Sequence, residues 1–513
     1  MKRTGKRLAA GLVVAALSIS GATGVPAEAS SVVAPSVVVP SVVAPSVVAP
    51  SAVAPGLSWH RCDVHYLCSE LSVPVDYADP TGAHLSLALA ELPATSAHVI
   101  GDLVMNPGGP GASGVQFLET TPFPAALRSS FNLVGFDPRG TGQSDPVSCE
   151  DAAGIRNMIA LDPDPQTPAQ VVTVVRTVKA FDRSCAEHTS MSLLENVGTR
   201  DTVRDLDLIR AALGQPKLDY MGFSYGTYIG ELYAQMFPGH VRAMVLDGTV
   251  DPALSSSATV SGQAKGFETD LGDFFAWCPG NKSCAAELPQ GAKVAYEKLF
   301  QGLAAGDRLM ADLPAQFGGP QQVTLGLAET AAAGSLYSDQ TWSYLASGIA
   351  QGLAGNGYLL AVLAYVFQGM MLNGQFSNLV AASYAISCVD RPYLKTVTAY
   401  EQLATGLVKA DPDFGGISAW GDVACAYWPV PAQGTVAPIH AAGSPPILVI
   451  GSTGDPATPY PWAQAVARQL DHAELLTRTG PGHTGYINST CIQRWTDRYL
   501  ATLEMPPQGT SCA

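Results

Sequence analysis

Apolar and polar positions follow two rhythms along this chain, and one long stretch separates them. Short apolar or alternating runs at 71–77, 84–92, 101–105 and 131–136 predict strands. Residues 202–213 place Val203, Leu206, Ile209 and Leu213 on one helical face, with Gly214 as the stop. Runs at 217–221 and 241–246 predict two further strands, with a helix over 228–235 between them. Strands that alternate with helices imply an α/β fold with a mostly parallel sheet. After Asp251-Pro252 the rhythm changes. Residues 253–435 are rich in Ala, Gly and Leu, mostly helical in period and poor in strand-like runs, which predicts an inserted helical lid. Strand signals resume at 447–450 and 474–477, and a helix over 491–503 closes the chain. The insertion therefore interrupts a single sheet. The core spans 57–252 and 436–513, and the lid spans 253–435.

The first 56 residues follow neither rhythm. Lys2, Arg3, Lys6 and Arg7 precede an apolar run over 8–19 that is too short to span a bilayer, and Ala27-Glu28-Ala29 fits a small-x-small cleavage site. A signal peptide over 1–29 is expected, with Ser30 as the mature start. Residues 30–56 repeat a Ser/Val/Ala/Pro pentapeptide. Proline at every fifth position blocks helix and interior strand, so an extended spacer or pro-segment is expected. The apolar stretch 359–371 is interrupted by Gln368 and Gly369 and reads as a buried helix rather than a span. No stable membrane insertion is expected once the leader is cleaved.

Composition narrows the function. Hydrophobic residues make up 47% of the 513 and charged residues 14%, which suits a large buried core. The net charge of -15 argues against nucleic acid and against anionic membranes, because both recruit Lys and Arg. Ten cysteines in an exported chain imply disulfides. Sequence alone cannot select their connectivity. The spacing suggests neighbour pairing: Cys62–Cys68, Cys149–Cys185, Cys278–Cys284, Cys388–Cys425 and Cys491–Cys512. No Cys/His cluster has zinc-ligand spacing, and the acyl-enzyme chemistry read from the motifs below needs neither metal nor organic cofactor.

The candidate chemistry centres on Gly222-Phe-Ser-Tyr-Gly226, a G-x-S-x-G turn between a predicted strand and a predicted helix. Ser224 would stand at the helix N-terminus, where free N–H groups favour negative charge. A base and an orienting acid should follow, each on a loop beyond a strand. Asp455 follows the strand at 447–450, and His483 sits in the Gly-rich loop after 474–477. Asp247 and Asp251, after the strand at 241–246, are rival acids or simple turn residues. His240 and His472 precede strands, a position more typical of surface loops. Two backbone N–H groups should hold an oxyanion: one from Tyr225, the other from Asn106-Pro-Gly-Gly-Pro-Gly111, with Gly109 favoured and Gly108 close behind.

These motifs, together with Gly135-Phe-Asp-Pro-Arg-Gly-Thr-Gly-Gln-Ser144, Asp455-Pro-Ala-Thr-Pro459, Gly482-His483 and the tail from Cys491 to Cys512, resemble the secreted tripeptidyl aminopeptidases of actinobacteria, relatives of proline iminopeptidase within the α/β-hydrolase fold. The resemblance runs from about Trp59 to Cys512 and is weakest across the lid. Proline iminopeptidases usually carry His where Asn106 stands, a departure that favours the tripeptidyl branch. The resemblance implies a secreted serine exopeptidase, free or associated with the cell surface, that releases short peptides, often tripeptides, from free N-termini. The same family includes carboxylesterases, so an ester hydrolase with the same triad is the alternative. An exopeptidase of this kind needs an acidic group for the substrate ammonium. Candidates are Glu231, Glu268, Asp270, Asp273, Glu329 and Asp390, with none singled out.

Overall fold

The computed structural model describes residues 56–513, so the expected leader and nearly all of the pentapeptide repeat lie outside the described residues. In chain order the strands are β1 (His60–Arg61), β2 (Leu67–Pro74), β3 (His84–Leu92), β4 (Gly101–Asn106), β5 (Phe131–Phe136), β6 (Leu218–Phe223), β7 (Val241–Asp247), β8 (Leu309–Asp312), β9 (Pro320–Val323), β10 (Ile447–Gly454), β11 (Ala473–Pro481) and β12 (Ser511–Cys512). All but β8 and β9 form one ten-stranded sheet in the order β1-β2-β3-β5-β4-β6-β7-β10-β11-β12. Pairing is antiparallel from β1 to β5 and parallel from β5 to β12. This is the α/β-hydrolase architecture, with an antiparallel flank. The burial follows from the pairing. β6 is buried at every position, as a strand covered on both faces must be, whereas β2 alternates buried and exposed residues.

Helices cover both faces of the sheet. Gly114–Thr120 and Thr490–Thr502 bury Val115, Leu118, Ile492, Tyr499 and Leu500 on one side. Thr199–Ala212 and Tyr225–Met236 bury Val203, Leu206, Ile209, Ile229 and Ala234 on the other, where the insertion also packs. Between β7 and β10 no segment joins the main sheet. The region is helical from Ser256–Trp277 to Gly415–Gly421, apart from the short hairpin β8–β9, whose strands carry little of the alternation that would mark them in sequence. Within it, the apolar stretch at 359–371 forms the helix Tyr358–Phe367, which ends just before Gln368. Among the described residues no helix is long and apolar enough to cross a membrane.

Two devices fix this frame. All five neighbour pairs of cysteines form disulfides. The loop after β5 is held by its own motif. Asp137 accepts from Val115 N (3.1 Å) and Gln143 N (2.8 Å), while Arg139 forms a fork on Asp205 with two 2.7 Å contacts. Both members of that pair are fully buried, and the remaining guanidinium donors reach the Pro74, Val75 and Asn196 carbonyls, so no charge is left uncompensated.

Candidate active site

The register sets β4, β6, β7, β10 and β11 to end at one edge: Asn106 lies opposite Gly222, Phe223 opposite Asp247, and Gly454 opposite Pro481. The loops beyond those ends carry the candidate residues, at the carboxyl edge where open parallel sheets place their sites.

Ser224 lies between β6 and the helix Tyr225–Met236 with φ 53° and ψ -127°, a conformation that a non-glycine residue holds only under constraint. Its N–H donates to the Asp247 carbonyl at 2.9 Å. The flanking glycines are steric necessities. A Cβ on Gly222 would lie 2.2 Å from the Gly226 carbonyl oxygen, and one on Gly226 would lie 2.5 Å from the Asn106 carbonyl oxygen. The Gly-rich loop after β4 presses against this turn. Gly108 has φ +93°, and a Cβ there would sit 2.5 Å from Phe223 O and 2.8 Å from Tyr225 N. The Gly108 N–H is already donated to Asn106 Oδ1 at 2.9 Å, whereas the N–H groups of Gly109 and Tyr225 have no acceptor among the described residues.

His483 and Asp455 meet directly. Nδ1 of His483 lies 2.8 and 2.9 Å from the two Asp455 carboxylate oxygens. A nitrogen that faces a carboxylate this way carries the proton, so Nε2 is left as the acceptor. Asp455 also accepts from Thr458 N (2.8 Å), Ala457 N (3.1 Å), Thr484 N (3.2 Å) and Thr458 Oγ1 (3.1 Å), which fixes its orientation. Burial alone would lower the imidazole pKa. The Asp455 charge and hydrogen bond, with Asp247 behind, outweigh it and raise His483 above its ordinary value. Nε2 is buried and accepts no hydrogen bond, from Ser224 or from any other described residue. Such contacts often tighten only in the substrate complex.

The rival acids have other work. Asp247 is fully buried, and its carboxylate accepts the N–H groups of Gly485 and Tyr486, each at 2.7 Å. Its carbonyl holds Ser224 and its carboxylate holds the His483 loop, so one residue ties the two together. Burial pushes this carboxyl up to about 6 against those donors. Asp251 accepts from Ala253 N and Gln469 Nε2 as a turn residue. His240 pairs with Asp207, and His472 lies at the entry to β11.

Sequence reasoning missed one neighbour altogether. Tyr337, from the insertion, accepts the His483 backbone N–H at 2.9 Å, and its ring packs edge-on to the imidazole at 5.1 Å. Nothing local in sequence marks it. The acidic candidates for the ammonium separate clearly. Asp273 is exposed, Glu268 accepts from Asp413 N at 3.1 Å, and Asp390 is bound to Thr199. Glu329 is buried. Glu231 has both carboxylate oxygens, and Asp270 one, buried without a partner. Burial, then Asp273 and Asp455, push Asp270 up to about 8.

A serine at such an elbow, with an acid–imidazole pair across the same sheet edge, defines a serine hydrolase of the α/β-hydrolase fold. A family model described as TAP-like protein matches residues 411–512. Serine protease Hip1 of Mycobacterium tuberculosis is 35% identical over 458 residues, covering 87% of each chain. Carboxylesterase B of the same species is 35% identical over 462 residues, covering 87% of this chain and 86% of that one. Tripeptidyl aminopeptidase of Streptomyces lividans is 30% identical over 477 residues, covering 89% of this chain and 87% of that one. The chain belongs to the tripeptidyl aminopeptidase family of serine peptidases.

Proposed function

We propose that this protein is a secreted exopeptidase that releases short peptides, chiefly tripeptides, from free N-termini, with Ser224 as nucleophile, His483 as base and Asp455 as the orienting acid. The observation that carries the chemistry is the Asp455–His483 pair, which engages Nδ1 and leaves Nε2 without a partner among the described residues. His483 takes the Ser224 proton as Oγ attacks the scissile carbonyl, and then gives it to the departing amine. The unengaged N–H groups of Gly109 and Tyr225 receive the oxyanion. Water, deprotonated by the same imidazole, releases the acyl group. Two relatives named as a serine protease and a tripeptidyl aminopeptidase support peptide substrates. Five disulfides support an oxidising, extracellular destination. Glu231, Glu329 and Asp270 remain as buried carboxyls free to be tested for the substrate ammonium.

The test compares a tripeptide anilide with its N-acetylated twin, with product lengths from a peptide library read by mass spectrometry. Acetylation removes the ammonium and should cut kcat/KM by at least about a hundredfold, the range for unpairing a buried charge. Equal rates would remove the exopeptidase reading. The relative named Carboxylesterase B favours a second reading, ester hydrolysis by the same triad. Faster turnover of p-nitrophenyl esters than of tripeptide anilides would select it.

A further inference from the structure

Three buried polar side chains from three distant segments meet behind the elbow. Thr199 opens the helix Thr199–Ala212, whose N-cap residue Gly198 offers no side-chain oxygen to the free N–H groups. Asp390, the last residue of the insertion helix Leu379–Asp390, supplies that acceptor from outside, and the Thr199 N–H donates to Asp390 Oδ1 at 2.6 Å. The Thr199 hydroxyl contacts both the other Asp390 oxygen and the phenol of Tyr225. A hydroxyl has one proton to give. It goes to the carboxylate, which can only accept, so the Tyr225 O–H donates in turn to Thr199 Oγ1. The direction of the chain is thereby fixed from Tyr225 through Thr199 to Asp390.

The end of the chain is held firmly. Cys388 joins the same helix end to Cys425. Gly198 and Gly434 pass so close that a Cβ would lie 3.0 Å from Asp390 Oδ1 and 1.8 Å from Asp390 O, respectively. Arg391, the next residue, donates to Thr259 Oγ1 at 3.1 Å and lies over the Tyr228 ring. Burial pushes the Asp390 carboxyl up to about 6, against the Thr199 donors and the Arg391 charge. At the other end, Tyr225 follows a serine in a constrained conformation, and its backbone N–H has no acceptor among the described residues. A residue pinned at its preceding peptide and at its phenol has little freedom to tilt that N–H.

We propose that Asp390 is a positioning residue for the reaction: through Thr199 it anchors the Tyr225 phenol and so aims the Tyr225 N–H at the oxyanion. The inference rests on the functional reading above, in which that N–H is an oxyanion donor. It makes the insertion part of the catalytic geometry as well as a cover over it. The bland alternative is a helix cap supplied from another segment, with no bearing on the rate.

The experiment uses the full chain and a tripeptide p-nitroanilide. Thr199→Val replaces the hydroxyl with a methyl of the same size and keeps the Thr199 N–H cap. Thr199→Val, Tyr225→Phe and Asp390→Asn should each lower kcat about tenfold with KM near that of the parent, less than the loss on deleting an oxyanion donor outright. Thr199→Ser should retain the parental kcat. In the Tyr225→Phe background Asp390→Asn should lower kcat no further. Parental kcat in Thr199→Val, or an equal loss for Asp390→Asn in both backgrounds, would assign Asp390 to helix capping alone. If Asp390→Asn fails to fold, Thr199→Val against Thr199→Ser carries the decision. Fluorophosphonate labelling separates the two levels. An unlabelled Ser224 in the parent overturns the functional reading and this inference with it, whereas a labelled Ser224 with indifferent kcat overturns the inference alone.

Discussion

Gly108→Ala is the sharpest perturbation available, because its two costs can be separated. The first is conformational: φ is +93°, and a side chain in this left-handed region costs about 1–2 kcal/mol. The second is contact. The new Cβ would lie 2.5 Å from Phe223 O, 2.8 Å from Tyr225 N and 3.0 Å from Ser224 Cβ, where real Cβ contacts under 3.0 Å essentially never occur. Two of those atoms are backbone and cannot swing aside, so the loop must back away from the elbow by roughly half an ångström or more. That loop carries the Gly109 N–H. Losing one oxyanion donor costs about 10²–10³ in kcat, and a 1 Å misplacement about 10². Gly108→Ala should therefore reduce kcat about a hundredfold, with a smaller effect on KM. Gly214→Ala is the matched control. Its φ is +73°, yet nothing lies within 4 Å of the added carbon, so it carries the strain without the collision. Gly214→Ala should lose about 1–2 kcal/mol of stability in a denaturant melt and Gly108→Ala more than that, and only Gly108→Ala should lose turnover and fluorophosphonate labelling rate. A folded Gly108→Ala enzyme within threefold of the parental kcat would refute the placement of the oxyanion beside this loop.

Asp455→Asn should lower kcat by about 10⁴, because the imidazole loses the acceptor that fixes its tautomer. Activity requires neutral His483, whose pKa is raised by Asp455 and Asp247 against burial, so the acid limb of kcat/KM should have its midpoint above the ordinary histidine value of about 6.5 and should move down in Asp455→Asn. The same shift makes protonated His483 a stabilising group below about pH 6.5, and that contribution should fade as pH rises through the folded-state value. An acid limb with its midpoint below 6.5 in the parent would contradict both. Asp247→Asn sets an amide NH₂ against one of the two N–H groups that the carboxylate now accepts, a loss of about 1.5–3 kcal/mol per charge-assisted bond. Denaturant melts should show that loss, and labelling of Ser224 should slow as the His483 loop loosens; unchanged values for both would show that Asp247 holds neither loop.

The parts of the fold and site that were legible in sequence are those that demand particular residues at a local spacing. The elbow needs glycine at 222 and 226 because backbone atoms occupy the space of a side chain, and the loops after β4 and β11 need glycine at Gly108 and Gly482, where φ is +93° and +100°. β3 and β5 coincide with their apolar runs, whereas β10 and β11 extend beyond theirs to Gly454 and Pro481. Those extensions are set by pairing between the two strands, which hydrophobicity does not record. The helix Pro168–His188 carries a start signal that can be read from its residues alone. Thr167 and Gln170 form a reciprocal capping box, Pro168 sits in the first turn, and Val174, Val178, Phe181 and Cys185 share a buried face.

What was not legible depends on backbone groups from distant segments. Asp247 meets Gly485 and Tyr486 across 238 and 239 residues of sequence, and Asp390 meets Thr199 across 191. Tyr337 offers His483 only a carbonyl oxygen. In each case at least one partner is a main-chain N–H or C=O, which nearly every residue possesses, so neither composition nor periodicity can distinguish the position. The consequence bears on how the insertion is regarded. A segment that served only as a cover would touch the core through apolar surface and could be exchanged for another of similar shape. This one reaches the base loop through the Tyr337 carbonyl and the elbow side through Asp390, and Gln263 donates to Ala457 O in the turn after Asp455 at 3.0 Å. Polar contacts of this kind tolerate small displacements poorly, because hydrogen bonds weaken steeply with distance and angle. Replacing the insertion by a different helical lid would therefore disturb the base loop and the elbow even if the sheet beneath remained intact.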